Sequence, residues 1–180
     1  MFETTRLILR PMNKTDAEAV FAMRSDENVM RFIRPPQIRQ SEAEDWINLV
    51  SSRWEKEKIG FCAVIEKSSN KFIGWCGLWH LKETGETEVG YALFREFWGG
   101  GFASEAAGAF LEYGFNELNL EKVVAVAEPE NQASQNVMKR LGMIYDYTDE
   151  FYGRDLVHYS ITKNDYIRNR KTASSPDNGG

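Results

Sequence analysis

Three consecutive glycines, Gly99, Gly100 and Gly101, stand between a strand-like run and a helix-like run of the sequence. Glycine lets a backbone approach a ligand closely, and the first N–H groups of a helix, together with the helix dipole, favour an anion. This spacing therefore indicates a phosphate-binding loop. A tight turn that only packs the helix onto a sheet is the competing interpretation, because short glycine motifs have many false positives.

Two familiar nucleotide-binding loops do not fit the residues that follow. A P-loop ends in Gly-Lys-Ser/Thr, whereas this loop ends in Gly101-Phe102-Ala103-Ser104 without a lysine. The dinucleotide fingerprint needs a third glycine or alanine where Ser104 stands. It also needs an acid at the end of the next strand, whereas Glu121 stands at the start of KVVAVAE. ATP or GTP binding by a P-loop and nucleotide-dependent oxidoreductase chemistry are therefore disfavoured.

The elements that must position this loop follow from hydrophobic periodicity and from turn and cap residues. TRLILRP predicts a strand, and two capping boxes, at 15–18 and 41–44, predict the starts of two helices. Three strands come next, the first two joined by a hairpin turn at 68–70 and the third being TEVGYALF. A helix after the glycines, the buried strand KVVAVAE, a short helix ended by Gly142 and a closing hairpin around Gly153 complete the order β-αα-βββ-α-β-α-ββ. This is a mixed α/β (α+β) architecture without regular βαβ alternation.

Length and composition narrow the function classes. The 180 residues predict a single domain over 1–168 and a disordered tail over 169–180. The net charge of −5 argues against a nucleic-acid partner, and no apolar run reaches the roughly 20 residues of a membrane span, so no membrane partner is expected. Cys62 and Cys76 are expected to be reduced thiols in a cytoplasmic protein, nearly opposite each other in the hairpin if residues 65 and 73 pair. No metal is expected, because no His/Cys cluster has metal-ligand spacing.

A second motif lies one strand after the glycine loop. Residues 131–143 read NQASQNVMKRLGM, and this segment together with WGGGFA resembles the GNAT superfamily of acetyl-CoA-dependent N-acetyltransferases. TRLILRP, IGWCGL, EVGY and the closing strand agree, so the resemblance spans about 4–162. The subgroup that the chain resembles is the ribosomal-protein N-terminal (alanine/serine) acetyltransferases. The resemblance implies the GNAT fold, a mixed and mostly antiparallel central sheet with splayed strands.

The resemblance assigns the glycine loop to the pyrophosphate of coenzyme A. Trp98 replaces the usual Gln or Arg of the family's loop, so binding is expected to rest on backbone N–H groups. Pantetheine is expected to pair with TEVGYALF as an added strand, and an N–H of that strand is expected to bind the thioester oxygen. Gly90 favours a bulge or a close backbone approach, and Asn131 favours an N-cap, a coenzyme A contact or both. The expected coenzyme A contacts are Ala92, Leu93, Phe94, Trp98, Gly99, Gly100, Gly101, Phe102, Ala103, Ser104, Asn131 and Ser134.

Two catalytic residues follow from the same resemblance. Glu88 matches a glutamate of some superfamily members, and a carboxylate there could remove the proton that an amine must lose before it attacks. His80 is the alternative base, and a solvated strand acid is the plain structural interpretation of Glu88. Much of the superfamily has a tyrosine where this chain has Met138. Ser134 is therefore expected to donate a hydrogen bond, directly or through water, to the leaving thiolate, unless it only makes a local bond at the helix start.

The expected activity is the transfer of an acetyl group from acetyl-CoA to a primary amine, by direct attack in a ternary complex. A protein N-terminus is the favoured acceptor, and small-molecule amines are the alternative. Met138 keeps a second hypothesis open, a GNAT-like module that binds an acyl-CoA without catalysis. A monomer or homodimer is expected. The 32–36 stretch and Tyr145, Tyr147, Phe151 and Tyr152 are interpreted as the border of the acceptor cleft or as core.

Overall fold

The fold is an eight-stranded sheet with helices on both faces. The computed structural model describes residues 2–37 and 39–174. The strands are β1 (Phe2–Glu3), β2 (Leu7–Pro11), β3 (Phe61–Glu66), β4 (Lys71–His80), β5 (Thr87–Leu93), β6 (Lys122–Ala127), β7 (Ile144–Phe151) and β8 (Arg154–Thr162). Their order in the sheet is β1-β2-β3-β4-β5-β6-β8-β7. The pairings are antiparallel except for β5 with β6, which confirms the predicted mixed, mostly antiparallel sheet.

Helices cover the two faces of the sheet with separate apolar clusters. The helices are α1 (Ala17–Ser25), α2 (Glu27–Met30), α3 (Gln40–Glu57), α4 (Phe102–Asn116), α5 (Gln132–Arg140) and α6 (Lys163–Ser174). Side chains of α1 and α3 pack with Trp75 and Ala92 on one face, and side chains of α4 and α5 pack with Leu78 and Val89 on the other. The predicted order of elements is confirmed, with three additions: the two-residue β1, the one-turn α2 and the C-terminal α6.

The two predicted capping boxes lie slightly off the observed helix starts. Asn13, not Thr15, caps a short 3₁₀ turn that leads into α1, and its side chain accepts a hydrogen bond from the Thr15 N–H at 2.8 Å. At the second start the Glu42 carboxylate accepts from the Arg39 N–H at 2.9 Å, so α3 begins at Gln40, one residue before Ser41. Both predictions located the helices and missed the cap, because several polar residues near each start could supply it.

The β3–β4 hairpin brings the two cysteines together. Cys62 pairs with Cys76 as expected, and both thiols are free and buried. The register expected farther along was wrong, because Ile65 pairs with Phe72 instead of Ile73 after a shift next to Val64. A bulge of this kind inserts one residue into one strand and leaves no mark on the alternation that sequence periodicity detects.

The C-terminal segment departs from its prediction. Residues 169–174, predicted as part of a disordered tail, form the end of α6, where the Arg170 guanidinium lies 2.8 Å from the Glu112 carboxylate of α4. The rest of the predicted tail lies outside the described residues. None of the helices in the described ranges is both long enough and apolar enough to cross a membrane.

The central feature is a separation between two neighbouring strands. β5 and β6 run parallel, and the register that joins them is the single pair Glu88 with Val124. β5 continues to Leu93 and stays paired with β4 along its whole length. Its other edge therefore has no strand partner in the described chain after the Glu88 position, which is the splayed geometry that the resemblance implied.

Candidate active site

The glycine loop forms an uncapped helix start. Gly99 and Gly101 have φ of +75° and +79°, the left-handed region that a residue with a Cβ avoids. Gly101 is the N-cap of α4 and supplies no side-chain hydrogen bond, so the N–H groups of the first turn point out of the helix without a cap. The Ser104 hydroxyl in this turn is buried without a hydrogen-bond partner. Outward N–H groups and an unpaired hydroxyl at a helix N-terminus fit a phosphate group.

Arg6, the residue before β2, contacts this loop. The sequence alone did not indicate this contact. The Arg6 guanidinium donates to the Gly100 carbonyl at 2.9 Å and to the Glu105 carboxylate at 2.6 Å, and it covers the Phe102 ring at 4.2 Å. Glu105 also accepts from the Thr4 hydroxyl at 2.5 Å. Arg6 thus ties the loop to β2 through an ion pair and a hydrogen bond to a loop carbonyl.

Trp98 links the loop to the end of β5. Its indole N–H donates to the Leu93 carbonyl at 2.8 Å, and about half of the residue stays exposed. The side chain therefore contributes no charge, as expected, but it fixes the distance between the strand end and the glycines. This hydrogen bond was not foreseen, because a tryptophan in a loop gives no sequence signal for its partner.

The backbone of β5 alternates between its two edges. The Phe94 N–H donates to the Ile73 carbonyl at 2.9 Å, so even-numbered residues, including Ala92, form the hydrogen-bonded pairs with β4. Odd-numbered residues direct their N–H and C=O groups to the splayed edge. Of the three residues expected to pair with pantetheine, Leu93 presents its backbone to that edge, and Tyr91 does so as well.

Gly90 is not a bulge. The β4–β5 register runs through Gly90 without a shift. A Cβ at this position would lie 3.0 Å from the Phe61 ring and 3.7 Å from the Trp75 ring. The absence of a side chain at Gly90 therefore lets two aromatic rings pack closely against the backbone. This is the second of the two interpretations of Gly90, a close approach to the backbone.

Glu88 lies at the point where the sheet opens. The residue is 8% exposed, and its carboxylate accepts a hydrogen bond from the Tyr152 hydroxyl in the β7–β8 turn. Burial raises the pKa of Glu88 to about 7; the Tyr152 hydrogen bond opposes this shift, and the negative charge of Glu83 adds to it. The sequence suggested Tyr152 only as cleft border or core, and the structure brings it into contact with Glu88.

The β7–β8 turn is held in place by two further contacts. The Tyr152 N–H donates to Glu83 at 2.7 Å. Arg154 pairs with Glu128, the residue after β6, and donates to the Ile33 carbonyl at 2.8 Å. The 32–36 stretch thus lies beside this turn, and the two border the same side of the sheet as Glu88.

The histidines lie elsewhere. His80 pairs with Thr87, the neighbour of Glu88, so its side chain points to the opposite face of the sheet from the carboxylate. His158 is buried, and its ring nitrogens lie 3.0 Å from Asp146 and 3.2 Å from Glu86. His158 is therefore held between two carboxylates and has no exposed ring atom to offer a substrate.

The second motif forms α5 and the loop before it. Asn131 is the N-cap, and its side chain accepts from the Ser134 N–H at 3.1 Å. The Ser134 hydroxyl lies 3.0 Å from the Tyr91 hydroxyl, which also donates to the Ser134 carbonyl at 3.1 Å. Met138 is buried one turn later and offers no proton.

No group of three or more His, Cys, Asp or Glu side chains within 2–37 and 39–174 is arranged to hold a metal ion. What the described residues do bring together is an uncapped helix start, a free strand edge, and a buried carboxyl group. These three features lie along one strand, β5, and its continuation into α4.

Comparison with known proteins identifies the family. The acetyltransferase (GNAT) domain family matches residues 6–144. The chain belongs to the GNAT family of acetyltransferases. It is 34% identical over 172 residues to the uncharacterized N-acetyltransferase p20 of Bacillus licheniformis, which covers 91% of this chain and 96% of the relative. This GNAT chain is accordingly an N-acetyltransferase, and enzymes of its family use acetyl-CoA.

Two more distant matches cover nearly the whole chain. The spermidine N(1)-acetyltransferase of Escherichia coli K12 is 24% identical over 179 residues, with 91% of this chain and 90% of the relative covered. The ribosomal-protein-S5-alanine acetyltransferase of Vibrio fischeri superposes with a TM-score of 0.76 at 21% identity, covering 92% of this chain and 97% of the other. At that identity the structural likeness shows the fold alone.

Proposed function

We propose that this GNAT enzyme transfers the acetyl group of acetyl-CoA to a primary amine by direct attack in a ternary complex, with Glu88 as the base. The observation that carries the proposal is the buried Glu88 carboxyl group, with a pKa raised to about 7, at the point where β5 and β6 separate. A base with a pKa near the working pH is ionised often enough to accept a proton and basic enough to remove one.

The chemistry of the acceptor agrees with this pKa. An α-amino group has an ordinary pKa of about 7.7–8.0, so a carboxylate with a pKa near 7 removes its proton with little cost. A lysine-like amine, at about 10.4, is harder to deprotonate. Glu83 lies close enough to Glu88 to raise its pKa, so the pair also attracts a cationic amine in its protonated, dominant form.

Acetyl-CoA binding is assigned to the strand edge and the helix start. The N–H groups from Gly99 to Ser104 would hold the pyrophosphate, and the unpartnered Ser104 hydroxyl supports this assignment. The β5 edge at Leu93 would pair with pantetheine, and Ser134 would donate to the leaving sulfur. Asn131, already the N-cap of α5, would act chiefly by orienting the turn that carries Ser134.

We infer that a protein N-terminus is the first acceptor to test and a polyamine the second. The subgroup resemblance of the sequence motifs and the match of the Glu88 pKa to an α-amine favour the former. The similarity to a spermidine acetyltransferase favours the latter. Both acceptors carry a primary amine, and both suit the negative charge of Glu83 and Glu88.

A thiol-release assay with acetyl-CoA and a panel of peptides, polyamines and amino acids tests the proposal. Glu88→Gln should lower kcat/KM by about 100-fold or more, with acetyl-CoA binding by calorimetry unchanged, because a general base contributes about 10²–10⁴-fold. Glu86→Gln is the matched control, because Glu86 lies two residues before Glu88, just ahead of β5. Acetyl-CoA binding without turnover of any amine in the panel would instead support the non-catalytic acyl-CoA module.

A further inference from the structure

Two hydroxyl groups face each other across the opening of the sheet. Tyr91 lies on β5 three residues after Glu88, and Ser134 lies in the first turn of α5. Their oxygens are 3.0 Å apart, and the Tyr91 hydroxyl also reaches the Ser134 carbonyl at 3.1 Å. This contact spans the gap between the free edge of β5 and the helix that follows β6.

The hydroxyl pair and the Glu88 carboxyl group lie on opposite faces of the sheet. Side chains alternate along a strand, so Glu88 and Tyr91 point in opposite directions. The apolar clusters agree, because Tyr91 packs with the α4 and α5 side chains, and Trp79, the strand partner of Glu88, packs on the α1 and α3 face. A thioester held at the β5 edge would thus be approached by the amine from the Glu88 face and would release its sulfur toward Tyr91 and Ser134.

The pair has two hydrogen-bonding arrangements. In one, Tyr91 donates to the Ser134 carbonyl and Ser134 donates to the Tyr91 oxygen, so both hydroxyl hydrogens are used inside the protein. In the other, Tyr91 donates to the Ser134 hydroxyl oxygen, and the Ser134 hydrogen is free to point elsewhere. The distances of 3.1 Å and 3.0 Å to the two Ser134 oxygens allow both arrangements by rotation of the hydroxyls alone. Burial raises the pKa of Tyr91, against the Ser134 hydrogen bond, so its hydroxyl keeps the hydrogen over the whole range of an assay.

We propose that Tyr91 is a positioning residue that turns the Ser134 hydroxyl toward the leaving sulfur. The inference rests on the proposed function. Glu88 first takes the proton of the ammonium group and passes it to solvent. The neutral amine nitrogen then bonds to the acetyl carbon as the C–S bond breaks, and the electron pair of that bond passes to sulfur. The second nitrogen proton passes to Glu88, and the thiolate is protonated later from solvent. Tyr91 then donates to the Ser134 oxygen, and Ser134 donates to the thiolate. Neither hydroxyl loses its proton. Tyr91 and Ser134 together would thus supply the hydrogen bond to sulfur that Met138 cannot supply.

The test measures the pKa of the coenzyme A thiol in the binary complex with the enzyme, by the ultraviolet absorbance of the thiolate with the desulfo-CoA complex as blank. In the wild type this pKa should lie below that of free coenzyme A. In Tyr91→Phe and in Ser134→Ala it should rise by about one pH unit, the effect of one hydrogen bond to a charged group. The double variant should rise no further than Ser134→Ala, because Tyr91 acts through Ser134.

Tyr113→Phe is the matched control, since the Tyr113 hydroxyl also donates to a backbone carbonyl, that of Lys58 at 2.9 Å, and lies away from the opening. Fluorotyrosine at position 91 is a second probe that keeps the ring in place. Its hydroxyl is a stronger donor, so the thiol pKa should fall further. A rise in Ser134→Ala with none in Tyr91→Phe and no response to fluorotyrosine would overturn the role of Tyr91. An unshifted thiol pKa in the wild type would overturn the role of the pair.

No amine acceptor is needed for this titration. A failure of the proposed function, seen as coenzyme A binding without amine turnover, is therefore distinguishable from a failure of the Tyr91 proposal, whereas absent coenzyme A binding would overturn both. In the amine assay, Tyr91→Phe should lower kcat by about tenfold and leave the KM for acetyl-CoA unchanged, because a hydrogen bond made only to developing charge acts on kcat.

Discussion

Glu88 lies opposite Val124 at the single register pair that joins β5 to β6 within the described chain. The carboxyl group therefore lies at the position where β5 and β6 stop pairing and the edge of β5 becomes open. Burial at this junction raises its pKa to about 7, and the negative charge of Glu83 adds to this shift.

The ionisation of Glu88 is expected to reduce the free energy of unfolding as the pH rises from about 4.5 to 7. Its folded-state pKa of about 7 exceeds its ordinary value of 4.5, so the folded protein holds a proton that the unfolded chain releases between these values. Glu88→Gln should match the wild type in stability below about pH 4.5. It should become more stable than the wild type as the pH rises from about 4.5 through 7, by up to about 3 kcal/mol in the free energy of unfolding. Urea unfolding of both proteins from pH 4 to 8.5 measures the difference, and an equal free energy of unfolding at all pH values contradicts it.

Tyr152 is expected to tune the base. Its hydroxyl donates to the Glu88 carboxylate and favours the ionised form, so Tyr152→Phe should move the acidic limb of the pH profile of kcat/KM to higher pH. Activity near pH 7 should fall, and activity at high pH should recover most of the loss. Tyr145→Phe is the control, because its hydroxyl bonds to Thr148 at 3.1 Å and should leave the limb in place. An equal loss of activity at every pH would indicate a role other than tuning.

A matched pair of glycine variants distinguishes a role of the glycine loop in acetyl-CoA binding from a general effect of backbone strain. Gly99 and Gly85 have φ of +75° and +72°, and a Cβ at either would meet nothing within 4 Å. Gly99→Ala and Gly85→Ala should therefore lose similar stability, about 1–2 kcal/mol. Only Gly99→Ala should weaken acetyl-CoA binding, by about tenfold or more, because it displaces N–H groups of the loop. Calorimetry on both variants compares them, and equal affinities would remove the loop from the binding site.

The two cysteines are expected to be inert in the folded protein. Burial raises the pKa of Cys62 to about 12 and that of Cys76 well above its ordinary value, and the thiolate is the reactive form. A thiol reagent at pH 8 should leave both unmodified until denaturant is added. Rapid labelling of either in the native protein would mean that the β3–β4 hairpin opens readily. The same inertness keeps the thiol-release assay free of background from the enzyme.

The sequence by itself predicted the order of the elements and, through the family resemblance, the class of reaction. The helix after Gly101, the hairpin that pairs Cys62 with Cys76 and the cap at Asn131 depend on local rules: φ-permissive glycine, alternation along strands and short polar side chains at helix starts. These rules act over a few residues, so one chain displays them. The family resemblance then pointed to Glu88 and Ser134 as candidates.

Only the tertiary structure decided which side chains meet. Tyr152 reaches Glu88 across 64 positions of sequence, Tyr91 reaches Ser134 across 43, and Arg6 reaches Gly100 across 94. Such contacts depend on the strand order and on the gap between β5 and β6. The hydrophobic periodicity of a sequence predicts neither of these. The pKa of Glu88 has the same origin, because desolvation depends on what packs around a group and not on its neighbours along the chain.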